Sequence, residues 1–474
     1  MKKILTLFTL ILVLCIAGPK IIGSNVNQNI VDSVSSINEV PGYIATIKSL
    51  ETGWFSTSVA VNIGFDPAII FDDESMDLSD ELTLKNLNID INIYAQHGPF
   101  LSLDGLGLGL LSFNVEFDDD IMREFINYSN DQQLYKLEGR MSLLGTLSYI
   151  DSIPPFTLKD IADSSRFDGW SGEGKSSSSQ TTYQGEMPLF MMIDGDESLE
   201  ITSVTIGIDA DIPLTEAMTR FFYNSQTSFN IGSVRYESLS IDEKFSMKNV
   251  GLTALNQISK DGEFLNSAMN YSIESISVSD FNAEDLVMNV EVNNLDKELI
   301  NGYEELYTNI SSMEELIPEM TQEEIMNLLD KYLLPQLKVS PELNFTEISG
   351  NIADSSFSGY IKSRLTGIDS LPEDLEDINF WLSKVVIESK FTVDKSMASW
   401  IGIQILLSQM EDDLRSQFSN EGMKDILEVQ VEGMIEAFTQ QGMLAKNLDG
   451  DLEMTFILKD KQAFLNNEPI ELPF

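Results

Sequence analysis

The chain has 474 residues, 43% of them hydrophobic and 9% aromatic, enough apolar surface for a substantial core and too much for a disordered chain. Its 76 Asp and Glu against 29 Lys and Arg give a formal charge of −47, a surface that repels phosphates and excludes nucleic acid as a partner of the folded body. A single cysteine, Cys15, excludes an intrachain disulfide and any Cys-based metal site.

The first predicted element is an export segment. Lys2 and Lys3 precede an uncharged run over residues 4–19, the pattern of a secretory n-region and h-region. The run resumes past Lys20 through Ile21 and Ile22, so residues 1–23 read as a signal anchor or a signal peptide. The two lysines orient the N-terminus inward and export the rest. Two outcomes stay open: an anchor through residues 4–22, or cleavage at the small-residue stretch Cys15-Ile16-Ala17.

From residue 24 to 293 the dominant period is two. "NLNIDINIY" places Leu87, Ile89, Ile91 and Ile93 on one face, "SVTIGIDADIPL" does so with Val204, Ile206 and Ile208, and "DLVMNVEVNNL" with Leu286, Met288, Val290 and Val292. Such alternation predicts antiparallel strands with one apolar and one polar face. Turn-rich breaks separate them, and the Ser/Gly tract over residues 169–180 is expected to be a long hairpin loop. Helical spacing then appears over residues 294–335, through Leu299, Tyr303, Leu306 and Ile310, with Pro318 dividing the insertion.

Strands continuing the sheet are expected over 336–394. Amphipathic helices follow over 395–446, with Met423, Ile426, Leu427, Val431, Met434, Ile435 and Phe438 on one face. A C-terminal β-hairpin or edge strands close the chain over 447–474, where Pro469 and Pro473 cannot donate to a ladder. The expected fold is α+β: a large, elongated, mainly antiparallel β-sheet with amphipathic helices in the C-terminal half.

Chemistry-bearing motifs are sparse. "FDDDI", "IDGDES" and "NLDGDLE" cluster carboxylates, yet none has EF-hand spacing, so solvated turns are the expectation and no metal site is assigned. "DGLGLGLL" lacks the third glycine of a dinucleotide fingerprint; its glycines at 105, 107 and 109 fit close packing on one strand face. No cofactor is implied. A Ser–His–Asp arrangement would have to use His97, the only histidine, and no "GxSxG" elbow is present. Trp54 reads as a core or sheet-edge aromatic. His97 stands between an alternating strand and Gly98-Pro99, which predicts a strand-to-strand corner. No catalytic residue is assigned.

Several pieces, in order along nearly the whole chain, resemble the YdgA-like family of bacterial envelope proteins, a domain family of unknown function. They are "VPGYIATIKSLETGWFSTSVAV", "HGPF", "VNNLDKELI", "KVSPELNFTEISG" and "NNEPIEL". Gly53, Trp54, Phe55 and Ser56 match the family's glycine–aromatic–serine motif, His97, Gly98 and Pro99 its His-Gly-Pro turn, and Leu295 and Asp296 the Leu-Asp that leads into a helix. Asp296 is placed to cap that helix. Family members often carry a tyrosine before the first motif, where this chain has Ser49-Leu50-Glu51-Thr52. The resemblance implies a Gram-negative inner-membrane or periplasmic setting and no established activity. Three functions stay open: a non-enzymatic binding or scaffold protein offering an apolar face or groove to a lipid, lipoprotein or envelope protein; a periplasmic hydrolase using carboxylates or His97; and a homo-oligomeric structural scaffold.

Overall fold

The computed structural model describes the chain except residues 1, 39–41, 66–86, 102–106, 118–121, 160–161, 218–219, 241–242, 280, 301, 303–328, 354, 373, 409–420 and 473–474; residues 2–17, 36, 65, 87–88, 100 and 421–425 are described by backbone alone. The expectations for Pro318, for the clustered Asp118 to Asp120 and for most of the helical insertion lie outside the described residues. The chain divides into two compact units, the first mainly residues 1–219 and the second mainly 220–474. The fold is α+β and mainly antiparallel, with helices in the C-terminal half as well as at the N-terminus.

The first unit opens with helix α1 (Lys2–Asn38), which continues through Pro19. Its sheet is an up-and-down meander of β1 (Tyr43–Thr52), β2 (Ser56–Phe65), β3 (Leu87–His97), β4 (Leu111–Phe117), β5 (Lys136–Met141), β6 (Leu147–Ile153), β7 (Trp170–Ser176), β8 (Thr181–Asp194) and β9 (Glu197–Ala210). Each strand pairs antiparallel with the next. The period-two pattern selects the face turned to α1: Thr57, Val59 and Val61 on β2 and Ala95 and His97 on β3 are all buried.

Strand β7 corrects the expected loop at 169–180. Gly172 and Gly174 alternate with Ser171, Glu173 and Lys175, and their missing side chains leave room for rings from the neighbouring strands. A Cβ on Gly174 would meet the Tyr149 ring at 2.2 Å, and one on Gly172 the Tyr183 hydroxyl at 2.3 Å. The glycines that suggest a mobile loop are instead sites of close strand packing. The same reason holds at Gly109, whose Cβ would lie 2.5 Å from Leu101.

The second unit repeats the meander with β10 (Ser225–Ser238), β11 (Glu243–Ile258), β12 (Phe264–Val278) and β13 (Phe281–Asp296). Helix α2 (Leu334–Lys338) leads into β14 (Glu342–Ile352), β15 (Ser355–Leu365) and β16 (Val385–Val393). After helices α3 (Lys395–Ser408) and α4 (Glu421–Gln440) come β17 (Leu452–Lys459), β18 (Gln462–Leu465) and the edge strand β19 (Glu468–Ile470). Asn466 and Asn467, at φ 49° and 69°, make the tight turn that joins β18 to β19.

The helical pair is narrower in its contacts than its sequence pattern suggests. Leu427 and Val431, four residues apart, are buried, and a Cβ on Gly402 of α3 would strike Val431 at 2.5 Å. Ile426, expected on the same face, is 60% exposed, because one seam against α3 is narrower than the whole apolar stripe.

Among the described residues no helix is long and apolar enough to cross a membrane. The side chains of residues 2–17, which make up most of the proposed anchor, are outside that description.

Candidate functional site

Two of the three sequence motifs converge at one end of the first sheet. Gly53 donates its amide to the Ser56 carbonyl at 2.8 Å, closing the β1–β2 turn. The His97 amide donates to the Phe55 carbonyl at 2.8 Å, and Ser56 lies opposite Gln96 in the β2–β3 register. Gly98 then takes φ 113°, a conformation that disfavours any side chain, while its amide reaches the Leu110 carbonyl at 3.0 Å and Pro99 accepts from Gly109 at 3.1 Å. The corner expected from Gly98-Pro99 is therefore present. Trp54 departs from expectation: it lies in the turn, about half exposed, because the tip of a hairpin has no neighbouring strand to cover it.

His97 is 1% exposed. Its Nε2 stands 3.1 Å from the Thr57 hydroxyl, which donates to Asn27 Oδ1 at 3.3 Å. Which of Nε2 and the Thr57 hydroxyl donates depends on the imidazole tautomer. Asn27 in turn donates to Thr52 Oγ1 at 2.5 Å. Nδ1 is buried as well.

Helix α1 closes over the ring: a Cβ on Gly23 would lie 2.6 Å from the imidazole Cε1, and one on Gly98 would lie 2.7 Å from Pro19. Burial holds the His97 pKa below its ordinary value, the Lys20 ammonium adds to this, and the Trp54 carbonyl opposes it. Sequence reasoning found His97 but missed Gly23, Asn27 and Thr57. Their spacing in the chain carries no signal, since a helix and two strands must first be brought together.

Leu295 and Asp296 form a separate corner in the second unit. Asp296 Oδ1 accepts from the amides of Glu298 at 2.8 Å and Leu299 at 3.4 Å, so it caps the helical residues 297–300. Asn294 precedes it at φ 61°. The buried Gln336 of α2 clamps both sides of the bend: it accepts from the Asp296 amide at 2.7 Å and donates to the Asn294 carbonyl at 2.8 Å. Leu295 lies opposite Leu265 in the β12–β13 ladder. This satisfied arrangement orders backbone and presents no reactive group.

A cavity of about 640 Å³ in the first unit is lined by Trp170, Pro155, Pro188, Glu116, Lys136 and other residues. Behind it, buried Asp151 accepts from Trp170 Nε1 at 2.8 Å and from the Tyr183 hydroxyl at 2.9 Å. Burial, then the bond to Asp151, pushes the Tyr183 hydroxyl up to about 12, so it stays protonated and donates. Both Asp151 oxygens are thereby engaged in holding rings. Among the described residues no three His, Cys, Asp or Glu side chains are grouped to hold a metal ion.

Neither the curated proteins nor the solved structures include a match to this chain. One family model matches residues 1–473, described as a bacterial protein of unknown function (DUF945). Since that match spans nearly every residue, from the apolar start through both motif corners to the terminal edge strand, the chain belongs to this bacterial family of unknown function.

Proposed function

We propose that the chain is a non-enzymatic protein of the bacterial envelope. Residues 4–22 anchor it in the inner membrane, the body lies in the periplasm, and the second unit binds lipid acyl chains on one face of its sheet. The observation that carries this reading is the face built by β10 to β13. In register across the four strands, two residues apart on each, run the rows Ile231, Val250, Ile273 and Leu286; Phe229, Leu252, Tyr271 and Met288; and Thr227, Ala254, Met269 and Val290. On the opposite face the intervening row Ser228, Thr253, Asn270 and Asn289 is polar. None of these apolar side chains is buried; Phe229, Ile231, Ile273, Leu286 and Met288 are half-buried and Tyr271 is exposed.

An apolar area this broad, left in partial contact with water, is unfavourable unless a ligand completes it. Unbranched methionines give such a surface the adaptability that flexible acyl chains require. The enclosure of His97 supports a non-enzymatic role, because a general base must reach the proton it takes. The hydrolase reading has no such support from His97.

The test is lipid analysis by mass spectrometry of the full chain purified from membranes, beside an Ile273→Asp/Leu286→Asp variant. Bound lipid is expected in the native chain and its loss in the variant, with unit folding checked by circular dichroism. A native chain free of lipid overturns the reading.

A further inference from the structure

The first unit carries an unassigned surface at the end of its sheet. Contacts along α1 order the sheet relative to the helix. Asn38 bonds the backbone of Ala45, Asn27 bonds Thr52 and Thr57, Gly23 lies against His97, and Pro19 lies against Gly98. Moving up α1 towards its apolar N-terminal run therefore moves along β1 towards the Gly53–Ser56 turn.

The strand register carries that same end across the meander. His97 lies opposite Leu111, Leu111 opposite Met141, and Met141 opposite Leu147. The β5–β6 turn at residues 142–146 is thus at the end where α1 leaves the sheet. So is Leu108, which pairs with Phe100 just past the His97 corner.

Five large apolar side chains crown this end: Trp54, Phe55, Leu108, Leu143 and Leu144, with exposures from 49% at Trp54 to 95% at Leu144. The opposite end of the same strands is mixed: Asp131, Gln132 and Gln133 stand in the loop before β5, beside the exposed Tyr43, Ile44 and Phe125. Those three are less exposed than Leu144 and scattered among polar residues. Apolar tips on three alternate connections are costly in water, and nothing in the period-two pattern of the strands demands them.

We infer that this crown rests in the interfacial layer of the bilayer entered by residues 4–19, giving the first unit a second membrane contact that fixes its tilt. The inference rests on the anchor reading above. Helix α1 is continuous from Lys2 to Asn38, so at about 1.5 Å per residue the apolar run leaves the crown directly along the helix axis. The Trp54 indole suits the water–hydrocarbon boundary, where amphipathic aromatic rings are enriched, and the Phe55 ring beside it near Gly98 and Pro19 adds apolar area. With a net charge of −47, the contact is apolar in origin and needs no anionic lipid.

The experiment uses the full chain with Cys15→Ser, carrying a nitroxide at Leu144→Cys or, for comparison, at Gln132→Cys, in phosphatidylcholine vesicles. Both positions are exposed, so neither label disturbs the core. The label at 144 is expected to be several-fold more accessible to oxygen than to a water-soluble nickel chelate, unchanged by salt, with the reverse at 132. If the chain fails to float with the vesicles, the anchor reading falls and this inference with it. If the chain floats but the label at 144 is as wet as that at 132, the inference alone is overturned. Spin–spin broadening at 144 that persists in detergent would assign the crown to a second copy of the chain and also overturn it.

Discussion

The two units are built from the same alternating strands, yet they treat their apolar faces differently. In the first, β2 and β3 turn Val59, Val61, Ala95 and His97 to α1, and all four are buried. In the second, the only buried apolar residues of β10 to β13 are Leu265 and Ala283, and neither lies in the three apolar rows of the open face. Period two makes a face apolar; whether that face becomes core depends on what is laid over it. In the first unit the cover is in the chain, and it is fitted by glycines and a buried polar chain. In the second the face is half open, which is why the binding reading rests there.

Matched truncations test this difference most severely. Val59→Ala, at a 2% exposed position of the covered face, should cost about 2–3 kcal/mol in chemical denaturation. Ile273→Ala, on the half-open face, should cost about 1 kcal/mol, since only part of its apolar surface is removed from water. Equal losses would mean that the second face is as well packed as the first, and would undo the contrast.

The helix cover is tested next. A Cβ at residue 23 would press on the His97 ring, so Gly23→Ala should destabilise by about 1–3 kcal/mol despite its gain in helix propensity. In a His97→Ala background the same change should be close to neutral, because the clash is gone. Additive losses would show that α1 does not bear on the ring.

The smallest expected effect is on pH dependence. His97 is held below its ordinary 6.5 mainly by burial, so the unfolded chain binds the proton more readily than the folded one. Its contribution is complete above 6.5 and is lost as pH falls from there towards the lowered folded value. Native stability measured between pH 7.5 and 5.5 should therefore fall more steeply than that of His97→Gln. Parallel curves would remove His97 from the acid sensitivity, leaving only the many carboxylates shared by both proteins.

The strands and the two corners were legible because each depends on neighbours in the chain. Ile89 to Ile93 alternate, Gly98-Pro99 ends a strand, and Asp296 precedes a helical turn whose amides it accepts. Side-chain period and backbone permissiveness are local properties, so sequence determined them. It misread β7, where glycine served close packing rather than mobility: the Tyr149 and Tyr183 rings that fill those spaces come from other strands.

The partners of His97, the clamp by Gln336 and the anchoring of Trp170 on Asp151 were decided by tertiary structure alone. Each joins residues 19 to 42 positions apart or more, through pairings that exist only once strands are in register. The same register gathers Trp54, Phe55, Leu108, Leu143 and Leu144 at one end of a sheet. Sequence makes each of these residues apolar; folding makes them neighbours, because a meander brings alternate turns to the same end.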